Sequence, residues 1–267
     1  MIRSVTALAL ALLLAGCGLF ADKLDPRKDW TAADYYKAAK EEFDNRNWDA
    51  SIKIYEALES KYPFGRFAQQ AQMEVAYAYY KQGETAQALS AIDKFVKLHP
   101  NHPNLDYALY LRALVNFKED LGPFTRLIAQ DLADRDPKAA RESFEGFKDL
   151  VTRFPDSRYA SDARERMAYL VEALARHEIH VARYYLSRNA YLAAANRAQV
   201  AIQRYPQAPA TEEAVFVLVR AYDELGMEKL RDDAARIMQK NFPDSRYLRP
   251  GGARKDVPWW RLWDPDW

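Results

Sequence analysis

Histidine and cysteine are the side chains best suited to metal binding or nucleophilic chemistry, and both are scarce in this sequence. His177 and His180 lie three positions apart, a spacing that puts two imidazoles on one face of a helix and can bind a metal ion. Since no third ligand is evident, the pair is interpreted as two partly exposed helix histidines, and no metal site is predicted. Cys17 is the only cysteine, which excludes an intramolecular disulfide and any site with two thiolate ligands.

The sequence also lacks the motifs of common catalytic and nucleotide-binding sites. It contains no GxGxxG, P-loop, HExxH or nucleophile-elbow pattern. Its 39 basic residues nearly balance its 38 acidic residues. This balance argues against a protein that binds nucleic acid through the electrostatic field of a large net positive charge. We therefore predict no enzyme activity, no catalytic residue, no cofactor and no nucleic-acid partner.

Cys17 lies where a membrane anchor would be attached. Arg3 precedes an apolar run that is too short to cross a bilayer as a helix, and Leu-Ala-Gly leads directly into Cys17. This stretch resembles the signal peptide and lipobox of bacterial lipoproteins. The resemblance implies that residues 1–16 are removed, that Cys17 carries covalent lipid, and that Gly18, in place of aspartate, favours the outer membrane. An ordinary signal peptide with an incidental cysteine is the alternative.

Helical periodicity dominates the chain from Thr31 onward. Apolar residues recur every three or four positions, and no alternating run typical of a strand occurs. Five prolines follow an aromatic residue or histidine, and each should end a helix because proline lacks an N–H donor and disfavours helix at the preceding residue. They are Pro63, Pro100, Pro155, Pro206 and Pro243, at intervals of 37, 55, 51 and 37 residues.

The proline intervals and small residues resemble those of tetratricopeptide repeats. Two intervals are close to a helix-turn-helix repeat of about 34 residues, and Ala76, Gly83 and Ala88 match its small and turn positions. The resemblance implies an all-α, right-handed superhelical solenoid of about five repeats and about ten helices. Unrelated helical hairpins that share proline stops are the alternative. The repeats are expected near 31–63, 66–100, 104–155 with an insertion at 121–137, 158–206 and 210–243, within a domain spanning 31–248.

Two terminal segments flank the predicted repeats. Residues 17–30 are interpreted as the acylated cysteine and a polar tether, and residues 249–267 as a flexible tail with four of the six tryptophans. The tail is expected to bind a partner or the membrane, or to fold back on the last repeat. Within the predicted repeat at 158–206, residues 158–189 are typical of one long helix or of two joined end to end.

Several motifs together resemble one family more closely than a generic repeat protein. They are Tyr62-Pro63-Phe64-Gly65, Gln69-Gln70-Ala71-Gln72, Ala78-Tyr79-Tyr80-Lys81, His102-Pro103-Asn104 and Ala182-Arg183-Tyr184-Tyr185. With the lipobox, they resemble the BamD family of outer-membrane protein assembly factors. The resemblance implies a lipoprotein of the β-barrel assembly machine, anchored at the periplasmic face of the outer membrane. Its implied partners are unfolded outer-membrane β-barrel proteins, the POTRA domains of a BamA-like barrel subunit, and other lipoproteins of the machine.

The same resemblance implies two groups of site residues. Tyr62, Pro63, Phe64 and Gly65 match the family's client-binding region. Arg197 matches the arginine that meets an acidic residue of the barrel subunit, where a guanidinium can hold a carboxylate with two parallel hydrogen bonds. Arg188 and Tyr185 are further candidates for this partner. The alternative function is another lipid-anchored repeat adaptor, such as a pilotin or a regulator of cell-wall enzymes.

Overall fold

The computed structural model describes residues 27–117 and 137–249, and these two ranges contain helices and no strand. Their ten α-helices are α1 (Ala32–Asp44), α2 (Trp48–Lys61), α3 (Arg66–Gln82), α4 (Thr85–Leu98), α5 (Leu105–Phe117), α6 (Pro137–Arg153), α7 (Ala160–Ser187), α8 (Tyr191–Arg204), α9 (Thr211–Glu224) and α10 (Glu228–Asn241). A short 3-10 helix, Arg246–Leu248, follows. The predicted all-α fold of about ten helices is confirmed. The right-handed path and the repeat boundaries remain predictions, and most of the insertion at 121–137 lies outside the described residues.

The five proline stops are confirmed. Helices α2, α4, α6, α8 and α10 each end two residues before the proline that the sequence analysis singled out. The residue between helix and proline still donates its N–H to the carbonyl four positions back in all five cases. The proline then ends the series of hydrogen bonds because it has no N–H to donate.

Four interhelical turns each contain one residue with a φ between 59° and 77°, in the left-handed region. These residues are Arg46, Gly83, Asn189 and Gly226, with φ values of 62°, 77°, 59° and 66°. An ordinary L-residue is disfavoured there by roughly 1–2 kcal/mol, whereas glycine adopts this conformation freely. The same turn therefore recurs at two places where the sequence offers no glycine to indicate it.

The described chain forms two compact units, the first ending at Ala78 and the second beginning at Tyr79. In the first unit, Tyr35 and Ala39 of α1 pack with Tyr55 and Leu58 of α2 in a buried core. These residues follow the spacing of three and four that the sequence predicts. Thr31 begins α1 with a reciprocal cap, in which its hydroxyl accepts from the N–H of Asp34 and its own N–H donates to the Asp34 carboxylate.

Helix α7 contributes to two hydrophobic cores of the second unit. It is one continuous helix of 28 residues, so the long-helix alternative for this region is the one observed. Its Leu170 packs in the core that contains Phe147 and Leu150 of α6. Its Ile179 packs in the core formed with the small residues of α8 and α9.

Candidate functional site

The predicted client-binding residues form the turn between α2 and α3. Pro63 ends α2 at Lys61, and α3 begins at Arg66. Gly65 has a φ of +99°, and beyond its two chain neighbours no atom lies within 4 Å of the position that a Cβ would take. Glycine is therefore favoured by the backbone conformation of the turn and not by crowding.

Phe64 presents its ring to solvent from this turn. Its relative exposure is 91%, the highest among the large apolar residues that the structure describes. Single exposed apolar residues are common and assign no function by themselves. Here the exposure coincides with the turn that the sequence predicts as a binding site, and an aromatic ring supplies large apolar area to a partner.

Tyr62 has a different environment from Phe64. It is half-buried, its ring centroid lies 6.4 Å from that of Tyr35, and its hydroxyl donates to the Trp30 carbonyl at 2.8 Å. The Lys61 ammonium lies 5.5 Å from the Tyr62 ring centroid. Within the predicted site, Tyr62 thus holds a neighbouring segment while Phe64 is open to a partner.

The segment held by Tyr62 is the end of the predicted tether. Lys61 Nζ donates to the carbonyls of Lys28 at 2.7 Å and Trp30 at 3.2 Å. The Trp30 ring packs edge-on against Tyr35 with 5.2 Å between centroids. Residues 27–30 therefore lie on the first unit.

Glu74 on α3 is an organising residue that the sequence analysis missed. The Tyr36 hydroxyl donates to its Oε1 at 2.7 Å, and the Tyr55 hydroxyl donates to its other oxygen. Burial, reinforced by the hydrogen bond to this carboxylate, raises the pKa of both tyrosines. One carboxylate thus connects α1, α2 and α3, and a single glutamate in a helical pattern gives no sequence signal of this role.

Arg197, the predicted partner-binding residue, pairs with a buried carboxylate of its own chain. Its Nη1 donates to Glu178 Oε2 at 3.0 Å, and the Glu178 side chain is only 2% exposed. The other oxygen of Glu178 lies 3.7 Å from Nη2 of Arg141 on α6. A buried charge needs such partners because desolvating it alone costs several kcal/mol. The Arg197 side chain is also 44% exposed, so it pairs with a buried carboxylate and is still accessible to solvent.

Arg188 and Tyr185 lie together at the end of α7. The Arg188 guanidinium carbon is 5.5 Å from the Tyr184 ring centroid, and the rings of Tyr184 and Tyr185 are 5.9 Å apart. Tyr185 is half-buried and Arg188 is exposed. Glu178 precedes Tyr185 by seven residues on one face of the helix. The structure thus places the Arg197 pair about two turns along α7 from the other two candidates.

The remaining candidates for chemistry form no centre in the described chain. His177 and His180 are half-buried on α7, and residues 27–117 and 137–249 hold no group of three or more His, Cys, Asp or Glu placed to bind a metal ion. No helix in the part of the chain that the structure describes is long and apolar enough to span a membrane. Cys17 and the tryptophan-rich tail lie outside this part, so their roles remain predictions.

Fold and sites together define a helical-repeat protein whose candidate sites are an exposed aromatic turn and a half-exposed arginine. A family described as an outer membrane lipoprotein, YfiO, matches residues 28–237. The outer membrane protein assembly factor BamD of Neisseria meningitidis is 46% identical over 98% of this chain and 99% of its own. The BamD of Vibrio cholerae is 36% identical over 90% of this chain and 98% of its own. The chain therefore belongs to the YfiO family of outer membrane lipoproteins, which includes the BamD assembly factors, and the predicted family is confirmed.

Similarity to solved structures is weaker. A crystal structure of MamA protein aligns over 85% of this chain and 98% of its own, with 15% identity and a TM-score of 0.38. This similarity is too low to support a conclusion about the chain.

Proposed function

We propose that this chain is a lipid-anchored scaffold of the β-barrel assembly machine at the periplasmic face of the outer membrane. It binds the targeting signal of unfolded outer-membrane β-barrel proteins and docks on the POTRA domains of a BamA-like barrel subunit, beside other lipoproteins of the machine. Relatives that align over nearly the whole chain are named outer membrane protein assembly factors, which supports this role.

The exposed Phe64 ring is the observation that carries the client-binding half of the proposal. It is 91% exposed, and the neighbouring turn residue Gly65 adopts a conformation suited to glycine. An unfolded β-barrel protein is rich in aromatic and β-branched side chains, and such side chains lose water when they pack on an exposed ring. The Phe64 turn offers this contact without rearrangement of the buried core.

The docking half of the proposal rests on Arg197. Its guanidinium has five N–H donors in a planar fork, and the bond to Glu178 at 3.0 Å uses one of them. An acidic side chain of the barrel subunit can therefore add a second carboxylate to a guanidinium that is already oriented.

Photo-cross-linking in cells tests both halves. A photoreactive residue at position 64 should capture unfolded β-barrel precursors. A photoreactive residue at Asn196 should capture the barrel subunit, and this exposed neighbour leaves the Arg197–Glu178 pair intact. Leu98 is the control because it is another exposed apolar residue beside a proline stop, with a relative exposure of 54%. Capture of secretin subunits or peptidoglycan enzymes instead would contradict the proposal and favour the adaptor alternative.

A further inference from the structure

Three consecutive helices of the second unit bring two arginines to one buried carboxylate. Glu178 lies on α7 and is only 2% exposed, while Arg141 comes from α6 and Arg197 from α8. One oxygen of Glu178 accepts from Arg197 Nη1 at 3.0 Å, and the other lies 3.7 Å from Arg141 Nη2. The two guanidinium groups thus approach the two oxygens of a single carboxylate.

This cluster carries more positive charge than the buried carboxylate requires. Two guanidinium groups and one carboxylate give two positive charges and one negative charge, a net charge of +1. Arg197 alone compensates Glu178 through a direct hydrogen bond. The separation of 3.7 Å from Arg141 is too long for an N–H···O hydrogen bond. The pairing with Glu178 therefore leaves the hydrogen-bonding capacity of the Arg141 guanidinium unused.

Both arginines are accessible to a binding partner. The Arg141 side chain is 46% exposed and the Arg197 side chain is 44% exposed, whereas Glu178 is buried. A partner that approaches from solvent therefore meets the two guanidinium groups before it meets the acidic side chain. Guanidinium groups are planar donors whose geometry matches that of a carboxylate. The exposed side of the cluster is thus suited to an acidic side chain of another protein.

We propose that Arg141 and Arg197 form a two-arginine clamp for a carboxylate of the barrel subunit, and that Glu178 is the internal carboxylate that limits the strength of this clamp. The proposal deepens, and rests on, the docking role proposed for Arg197. It adds Arg141, which no sequence motif indicated, to the docking surface. The charge of Glu178 opposes that of the arginines, so its removal without a change of shape raises the affinity for an acidic partner.

A binding titration between the full mature chain and the full-length barrel subunit, both in detergent, tests the clamp. Arg141→Ala should raise the Kd by about threefold or more and make it less dependent on salt concentration. Arg141→Lys should raise the Kd less, because it keeps the charge and loses the planar fork. Arg153→Ala is the matched control and should leave the Kd unchanged. Arg153 lies on the same helix, is 43% exposed and pairs with Asp149 at 3.2 Å.

Glu178→Gln tests the role of the internal carboxylate. The amide oxygen of glutamine can still accept from Arg197, while the negative charge is lost. The Kd for the barrel subunit should therefore fall by about threefold, and Arg141→Ala in the same background should remove most of this gain. A purely structural role of Glu178 would change stability without tightening the binding. Thermal unfolding of each variant establishes that it is folded.

The outcomes distinguish this inference from the proposed function. Binding that Arg197→Ala weakens and Arg141→Ala leaves unchanged overturns the clamp while the docking role stands. Weaker binding by the Glu178→Gln variant overturns the role of the internal carboxylate. Failure of the unsubstituted chain to bind the barrel subunit overturns the docking role, and the clamp with it. Binding to phosphatidylglycerol vesicles that depends on Arg141, with no effect on the barrel subunit, assigns the arginines to lipid phosphate and also overturns the clamp.

Discussion

Arg197 holds the nearly buried carboxylate of Glu178 at 3.0 Å, while 44% of the arginine side chain faces solvent. The residue that the family resemblance assigns to a partner thus has an internal role as well. A variant of Arg197 changes two things at once, the surface offered to a partner and the compensation of a buried charge. Stability has to be measured before any loss of binding at this position is attributed to the partner.

Because Arg197 pairs with Glu178, we expect substitutions of Arg197 and Arg188, the two arginines of the predicted docking site, to differ in their effect on stability. Arg197→Ala should lower the free energy of unfolding by about 1–2 kcal/mol, because Glu178 then loses its hydrogen-bonded partner and keeps the more distant Arg141 among the described residues. Arg188→Ala, at an exposed position, should change it by less than about 0.5 kcal/mol. Urea unfolding measures both variants. Equal stability of the two would show that the Glu178 pair contributes nothing.

In the turn between α2 and α3, we expect Phe64 to affect client binding and the neighbouring Gly65 to affect stability. Phe64→Ala should leave the free energy of unfolding within about 0.5 kcal/mol and reduce capture of β-barrel precursors by a photoreactive residue at the exposed position 66. Gly65→Ala should lower stability by about 1–2 kcal/mol, since an L-residue is disfavoured at positive φ. Thermal unfolding together with cross-linking distinguishes them, and a stable Gly65→Ala variant would refute the backbone requirement.

The left-handed turn residue Arg46 predicts a gain in stability. Arg46→Gly should raise the free energy of unfolding by about 0.5–1 kcal/mol, because the relief of the left-handed conformation exceeds the added entropy of the unfolded chain. Asn45→Gly is the matched control, since Asn45 has an ordinary φ of −77° and glycine there only adds entropy to the unfolded chain. Calorimetry should therefore show shifts of opposite sign.

Tyr110 predicts a loss of stability at alkaline pH. Burial, with the hydrogen bond to Asp162 at 2.6 Å, raises its pKa to about 12. The folded chain keeps this proton to a higher pH than the unfolded chain, where the pKa is about 10. The contribution of the protonated Tyr110 to the free energy of unfolding is therefore complete below pH 10 and is lost as the pH rises toward 12. After solvent screening this contribution is at most about 1 kcal/mol. Tyr110→Phe should lose less stability between pH 8 and pH 11, with Tyr185→Phe as the control.

The predicted lipid on Cys17 makes a prediction for membrane fractionation. Cys17→Ala should release the protein from membranes washed with high salt and urea, since acyl chains bind through buried methylene groups at about 0.8 kcal/mol each. The chain that keeps Cys17, and with it the predicted lipid, should remain bound to the membranes under the same washes. Retention of the variant would show that another part of the chain anchors it.

Sequence reasoning succeeded where one residue type dictates local geometry. Pro63 and its four counterparts end helices by lacking an N–H, so their spacing predicted five helix ends. It could not find the left-handed turn residue Arg46, because the turn imposes this conformation against the preference of arginine, and Asn189 is a weaker indicator of such a turn than glycine. Glu178 was equally hidden, since the arginines that pair with it lie 37 residues before and 19 residues after it. Long-range pairs of this kind leave no local pattern.

The docking of residues 27–30 also changes the covalent reach of the predicted anchor. With lipid on Cys17, ten peptide units separate the anchored residue from Arg27, and a fully extended chain of that length spans about 35 Å. Release of the segment would extend the free stretch to Thr31 and its span to about 50 Å. The hydrogen bonds that Lys61, Tyr35 and Tyr62 make to this segment would then limit how far from the lipid headgroups the first helical unit can move, so that release of the segment and distance from the bilayer become one coupled equilibrium.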